Sequence, residues 1–219
     1  MMKLLFIGNS YTYYNHMPEI FERLSNENGK EVQVYSVTCG GHKLYEYVDY
    51  EDEYTEKLGQ LMEEHRFDVC VLQEHSTLPI VDYDLFVRGL KDLVEKLKPV
   101  AGQFVLYETW GRKEGHEFLA QNQMNNEEMT FQLAGAYEKA SEIIGAKISY
   151  VGLNFYEIYT KYPEIELYNS DLTHPSYEGS CLAALTHYQT IFGELPGKTE
   201  TLELRGEVLQ VLEKVLRKS

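Results

Sequence analysis

The sequence predicts an α/β domain built on a parallel sheet with helices on both faces. Short apolar runs of four to six residues alternate with longer segments of helical period, and several runs are unbroken by charge, as strands covered on both faces must be. The residues that follow each run are rich in glycine and polar groups, which is the composition of strand ends that carry a site. The chain has 219 residues, 43% of them hydrophobic, enough for one substantial core. No linker, repeat or low-complexity tract divides residues 1–219, so a single domain is expected.

Leu4–Ile7 is the first run, stopping at Gly8. Pro18 suits the first position of a helix that carries Ile20, Phe21 and Leu24 on its apolar face, and Gly29 ends it. Val32–Val37 follows, with Val32 and Val34 alternating against Gln33 and Tyr35. The acidic stretch Glu46–Glu56 reads as a solvated helix face or loop. Val69–Leu72 is the third run. Phe86, Leu90, Leu93, Val94 and Leu97 form a stripe of helical period that ends before Pro99. Phe104–Tyr107 is the fourth run, residues 127–144 form a helix closed by Gly145, and Ile148–Val151 is the fifth run. Tyr177, Cys181, Ala184, Leu185, Tyr188 and Ile191 mark a helix closed by Gly193. Leu204, Val208, Val211, Leu212 and Val215 mark the last.

Lys and Arg total 20 against 35 Asp and Glu, a formal charge of −15. Nucleic acid and anionic membrane surfaces would be repelled, so neither is expected as a partner. Eighteen tyrosines offer flat area with a polar tip, which suits sugar-like ligands as well as ordinary half-buried packing. Cys39, Cys70 and Cys181 are odd in number and lack zinc spacing, which argues against a disulfide framework or a metal site. Cys39 and Cys70 lie in or beside apolar runs and are expected as buried thiols, a usage that fits a reducing cytoplasm. One Lys and about five apolar residues open the chain, short of a signal peptide, and no run approaches the roughly 18–20 apolar residues of a membrane span. Both G-x-G-x-x-G and the P-loop pattern are absent, so no nucleotide cofactor is expected.

In a parallel sheet, ligands bind beyond the carboxyl ends of the strands. The residues there are Gly8-Asn9-Ser10, Thr38-Cys39-Gly40-Gly41-His42, Gln73-Glu74-His75-Ser76, Glu108-Thr109-Trp110 and Gly152-Leu153-Asn154. A serine hydroxyl needs a base before it can attack. NSDLTHPSYEGS, residues 169–180, supplies Asp171 and His174 three apart, a spacing that lets a carboxylate accept a hydrogen bond from one imidazole nitrogen while the other points elsewhere. Pro175 biases His174 out of the helical region and suits the start of the helix that follows. The Ser10 backbone N–H, an N–H at Gly40-Gly41 and the Gln73 side-chain amide are candidate donors to an oxyanion. Each feature alone has a plain structural reading, as a helix cap, a loop or a turn; their order along the chain and their places at strand ends favour acyl transfer.

Together, G-N-S-Y-T at 8–12, the Gly-Gly turn, an amide after the third run and D-x-x-H near the end of the chain resemble the SGNH (GDSL-like) hydrolase superfamily. The resemblance runs from Ser10 to His174 and implies a three-layer α/β/α flavodoxin-like sandwich, with a central, mostly parallel five-stranded sheet, and serine esterase or acylhydrolase activity. It implies Ser10 as nucleophile, His174 as base, Asp171 as its acid, and Ser10, Gly41 and Gln73 as the oxyanion hole, with Gly40 the alternative to Gly41. Asn9 stands where the family commonly has Asp, and Gln73 where it has Asn; V-L-Q-E-H-S is similar to the L-Q-E of some bacterial relatives.

His42 is expected at the pocket entrance, His75 at the pocket or the surface, and Trp110 in the core or walling the substrate site. His65 and His116 read as solvated and His187 as helix surface. The expected substrate is a small-molecule or carbohydrate ester, an O-acetyl sugar among the candidates, because no apolar lid segment of the interfacial-lipase kind is present. The alternative is a glycan-binding or small-molecule-binding module that has lost turnover, motivated by Gln73.

Overall fold

In chain order the elements of the computed structural model, which describes residues 1–218, are β1 (Met2–Gly8), α1 (Ser10–Tyr13), α2 (Met17–Glu27), β2 (Val32–Thr38), α3 (Glu46–Asp49), α4 (Glu53–Glu64), β3 (Phe67–Leu72), α5 (Leu78–Val81), α6 (Tyr83–Leu97), β4 (Ala101–Glu108), α7 (Glu117–Gln121), α8 (Asn126–Ile144), β5 (Lys147–Tyr150), α9 (Val151–Lys161), α10 (Tyr177–Phe192) and α11 (Gly206–Leu216). The five strands lie in the order β2-β1-β3-β4-β5, and every neighbouring pair is parallel. Strand alternation explains the two cores. Leu4, Phe6, Val69, Val71, Val105 and Tyr107 face α2, α9, α10 and α11. Leu5, Ile7, Cys70, Leu72 and Leu106 face α4, α6 and α8. The chain is thus a three-layer α/β/α domain. Among the described residues no helix is long and apolar enough to cross a membrane.

Three parts differ from the expectation. Val151 and Gly152-Leu153-Asn154 form the first turn of α9, not a strand end and its loop. One oxygen of the buried Glu108 carboxyl accepts the N–H groups of Gly152 (2.6 Å) and Leu153 (3.2 Å) and caps that helix from the neighbouring strand. The acidic stretch splits into α3 and the start of α4, where Asp52 accepts the Tyr54 and Thr55 N–H groups, and Glu46 and Tyr47 are buried, not solvated. Helix α10 starts at Tyr177 with Ser176 as its cap, so Pro175 precedes the helix and pairs with Tyr168 instead.

His187 is fully buried, not on a helix surface, and Phe6 and Tyr107 meet its ring edge-on at centroid distances of 5.6 and 4.4 Å. His65 is half-buried against Tyr35, and Cys39 is only partly covered. Burial, with neither ring nitrogen hydrogen-bonded among the described residues, pushes His187 down to about 3. The unfolded chain therefore binds one more proton than the folded one between that value and the ordinary histidine range near 6.5. In that window His187 makes stability rise with pH by up to about 1.4 kcal/mol per pH unit. We expect His187→Leu to flatten the loss of stability on acidification below about pH 6.5, read from urea midpoints at a series of pH values; an unchanged slope would contradict this.

Candidate functional site

A cleft of about 250 Å³ opens at the carboxyl end of the sheet. Asn9, Ser10 and Tyr11 line it after β1, Gly41 after β2, His75 and Ser76 after β3, Arg112 and His116 after β4, and Thr173 and His174 before α10. It lies where the chain leaves β1 to one side for β2 and to the other for β3, the crevice that open parallel sheets provide.

Ser10 opens α1, directly after the Asn9 cap, whose side chain accepts the Tyr11 N–H. Gln73 fixes this turn: its carbonyl oxygen accepts the Asn9 N–H at 2.8 Å and the Thr12 hydroxyl at 2.9 Å. Gly8 makes the approach possible, because a Cβ there would stand 2.6 Å from both the Gln73 oxygen and the Thr12 hydroxyl. The Asn9 amide donates to the His42 carbonyl at 2.8 Å and ties the loop after β2 to the same turn.

His174 meets Ser10 from the far end of the chain. Its Nε2 is 2.8 Å from Ser10 Oγ, and its Nδ1 is 2.7 Å from Asp171 Oδ2. The other Asp171 oxygen accepts the N–H groups of Thr173 and His174, both at 2.9 Å. Partial burial pushes the Asp171 carboxyl up, but the hydrogen bonds from the His174 ring and these backbone groups outweigh it and hold the carboxyl below its usual range. Tyr14 stacks on the imidazole at 4.2 Å with the rings 7° from parallel. Asn15, at φ +52°, reaches the carbonyls of Pro175 and Ser176 and the Ser180 hydroxyl at 2.9–3.1 Å. The turn that carries Ser10 and the loop that carries His174 are thereby fastened to each other.

Such an arrangement can deprotonate a hydroxyl. The backbone N–H groups of Ser10 and Gly41 are also unengaged among the described residues, and Gly41, at φ +75°, lines the cleft.

Three candidates, Gln73, His42 and Gly40, sit elsewhere than the sequence placed them, and Trp110 takes the core position of its two expected places. Gln73 does not reach the cleft: it is 1% exposed, and its amide nitrogen donates to the Glu74 carbonyl while its oxygen holds the Ser10 turn. The ring of His42 pairs with Asp52 at 3.2 Å, so its carbonyl, not its imidazole, serves the site. Gly40 is exposed and outside the cleft lining. Trp110 is buried between Tyr11 and Phe155, at 4.6 and 4.0 Å, and its indole N–H donates to the Thr173 carbonyl. It braces the histidine loop and walls nothing.

His75 faces the cleft, and His116 does so too, contrary to the solvated reading. Burial lowers the affinity of both for a proton, with the Lys43 and Arg112 charges adding to it for His75 and Arg112 for His116. Tyr11, Tyr14, Asn15 and Arg112 were not read from the sequence as site residues. Only the adjacency of the first three to Ser10 offered a signal.

No family model and no curated protein matches the sequence. Solved structures do. A protein from Slackia heliotrinireducens assigned as an SGNH hydrolase is 30% identical, with a TM-score of 0.76 over 87% of this chain and 98% of that one. A DUF4886 family protein from Bacteroides uniformis is 19% identical, with a TM-score of 0.82 over 99% and 93%. Axe2, an acetylxylan esterase from Geobacillus stearothermophilus, is 16% identical, with a TM-score of 0.64 over 90% and 97%.

Gln73→Ala leaves the Asn9 N–H and the Thr12 hydroxyl buried without their acceptor, which should lower stability by about 1–3 kcal/mol. Because the same turn aims Ser10, reaction of Ser10 with a fluorophosphonate should also slow, at least about tenfold. Unchanged labelling would show that the turn holds its aim without Gln73.

Proposed function

The chain belongs to the SGNH hydrolase superfamily, and from that membership we propose that it hydrolyses carboxylic esters through an acyl-enzyme on Ser10. The observation that carries the reading is the continuous path Asp171–His174–Ser10, with a 2.7 Å contact between Asp171 and His174 and a 2.8 Å contact between His174 and Ser10, 164 positions apart. Asp171 holds the imidazole with its proton on Nδ1, so that Nε2 accepts the Ser10 proton as Oγ attacks the ester carbon. The negative charge that develops on the carbonyl oxygen is met by the N–H groups of Ser10 and Gly41. Collapse of the tetrahedral species breaks the carbon–oxygen bond to the alcohol, which leaves with the proton from Nε2. Water then attacks the acyl-serine and gives its proton to the same nitrogen; collapse of the second tetrahedral species breaks the bond to Oγ, which takes that proton back, and the acid leaves.

The cleft is small and its lining is polar, which favours a short acyl group on a hydrophilic alcohol over a long lipid chain. An O-acetylated carbohydrate is one such substrate, and the fold shared with Axe2 is compatible with it. Ser10→Ala should lower p-nitrophenyl acetate turnover by about 10⁴-fold or more while circular dichroism is unchanged. Retained turnover would refute Ser10 as nucleophile. Loss of turnover to no ester at all, with ligand binding intact in the wild type, would favour the binding-module alternative.

A further inference from the structure

Arg112 is a charged side chain 91% removed from solvent, at 9% exposure, on the wall of the cleft, and the hydrolase mechanism does not use it. It arrives on the segment after β4, anchored by its own backbone: its N–H points to Met129 Sδ and its carbonyl accepts the Asn126 amide at 2.8 Å. The guanidinium has two side-chain partners, both neutral. One Nη donates to the Tyr11 hydroxyl and the other to the Ser76 hydroxyl at 2.8 Å. Among the described residues Arg112 makes no ion pair within 4.0 Å, and its Nε is buried without a partner.

A buried guanidinium is ordinarily matched by a carboxylate, because its desolvation is otherwise uncompensated. The chain has 35 acidic residues from which to supply one, and none is placed there. The surrounding groups deepen the mismatch. His75 and His116 line the same cleft, and Arg112 opposes protonation of both. The acid nearest the reacting groups, Asp171, is engaged by His174. Tyr11, which accepts from Arg112, directly follows Ser10, so the guanidinium is set against the segment that carries the reacting hydroxyl. A planar guanidinium held by two neutral hydroxyls in an open cleft is the arrangement that receives a carboxylate from outside.

We propose that Arg112 binds an anionic group of the substrate, so that the esters this cleft accepts carry a carboxylate near the scissile bond. The assignment deepens the hydrolase reading and rests on it. The carboxylate belongs either to the acyl portion, as in a hemiester of a dicarboxylic acid, or to the alcohol portion, as in an acylated hydroxy acid or uronic acid.

Matched ester pairs separate these sources. Mono(4-nitrophenyl) succinate is set against 4-nitrophenyl butyrate for an acyl-side charge. Likewise 4-acetoxybenzoate is set against its methyl ester for an alcohol-side charge. The wild type should favour the anionic member of one pair in kcat/KM by about tenfold or more. Arg112→Gln should collapse that ratio, and Arg112→Lys should keep part of it. No anionic preference in either pair, or an equal fall for both members of each pair in Arg112→Gln, would overturn the proposal and leave Arg112 as a clamp between Tyr11 and Ser76. Calorimetric titration of succinate and benzoate into Ser10→Ala, with and without Arg112→Gln, reads the anion site without turnover. Arg112-dependent binding is expected, and absence of binding by both anions would overturn it. Fluorophosphonate labelling of Ser10 in the wild type tests the hydrolase reading separately.

Discussion

The amide of Gln73 holds the turn on which the whole site depends. One oxygen accepts both the Asn9 N–H and the Thr12 hydroxyl, so the chain leaving β1 is fixed before and after Ser10. Gly8 belongs to the same constraint, since any side chain there would collide with that oxygen. Tyr47 closes the turn from the other side, donating to the Gly8 carbonyl at 2.5 Å while accepting the Cys39 N–H at 3.0 Å. Strands β1, β2 and β3 are thereby locked at their carboxyl ends by side chains as well as by the ladder. A hydroxyl placed there needs no further adjustment to meet a partner.

The partner is positioned by a second, independent set of contacts. The Asp171–His174 loop carries no regular structure, and its shape comes from what it touches. The Trp110 indole holds the Thr173 carbonyl, Tyr11 holds the Thr173 hydroxyl at 2.9 Å, and Asn169 accepts nothing from His174 but donates its N–H to the His174 carbonyl at 2.8 Å. Asn15 then joins this loop and the start of α10 to the segment after α1. Its left-handed backbone, with that of His16 at φ +58°, is an uncommon conformation outside glycine, and three nearby acceptors hold it. The separation of 164 residues between Ser10 and His174 is therefore bridged by short side-chain contacts on both flanks.

The fold was largely legible because its signals are local. Unbroken apolar runs such as Leu4–Ile7 and the stripe Phe86–Leu97 each carry their own period, and alternation along each strand sets which residues face which helix layer. Helix α9 was not legible, since its start is capped by Glu108 of another strand, which no pattern near Val151 records. The same distinction runs through the site. Ser10, Asp171 and His174 could be named from spacing and resemblance. The inward turn of Gln73 could not, because it depends on Gly8 and Thr12 lying across a strand pair. His187 was misplaced for a related reason, and the place of Trp110 was left open between core and cleft wall: their sequence neighbours are polar or mixed, while their spatial neighbours are aromatic.

Charge follows a pattern opposite to composition. The chain is acidic as a whole, yet its cleft presents a guanidinium and three imidazoles. Two glutamates stand close to the strand ends without cancelling that imbalance. Burial drives Glu108 well above its usual range, against the Gly152 and Leu153 hydrogen bonds. It drives Glu74 up to about 8, although the His75 and Leu44 N–H groups favour the carboxylate. At neutral pH much of the Glu74 population then carries a proton, and its negative charge is correspondingly reduced. Asp171 remains ionised but exposed on one side, where water screens it. Arg112 thus keeps a fixed positive charge in the buried wall of the cleft, inside a molecule whose net charge is negative. Such an arrangement weakens long-range attraction of anions but strengthens short-range recognition once one has entered, so discrimination falls on contact and not on encounter.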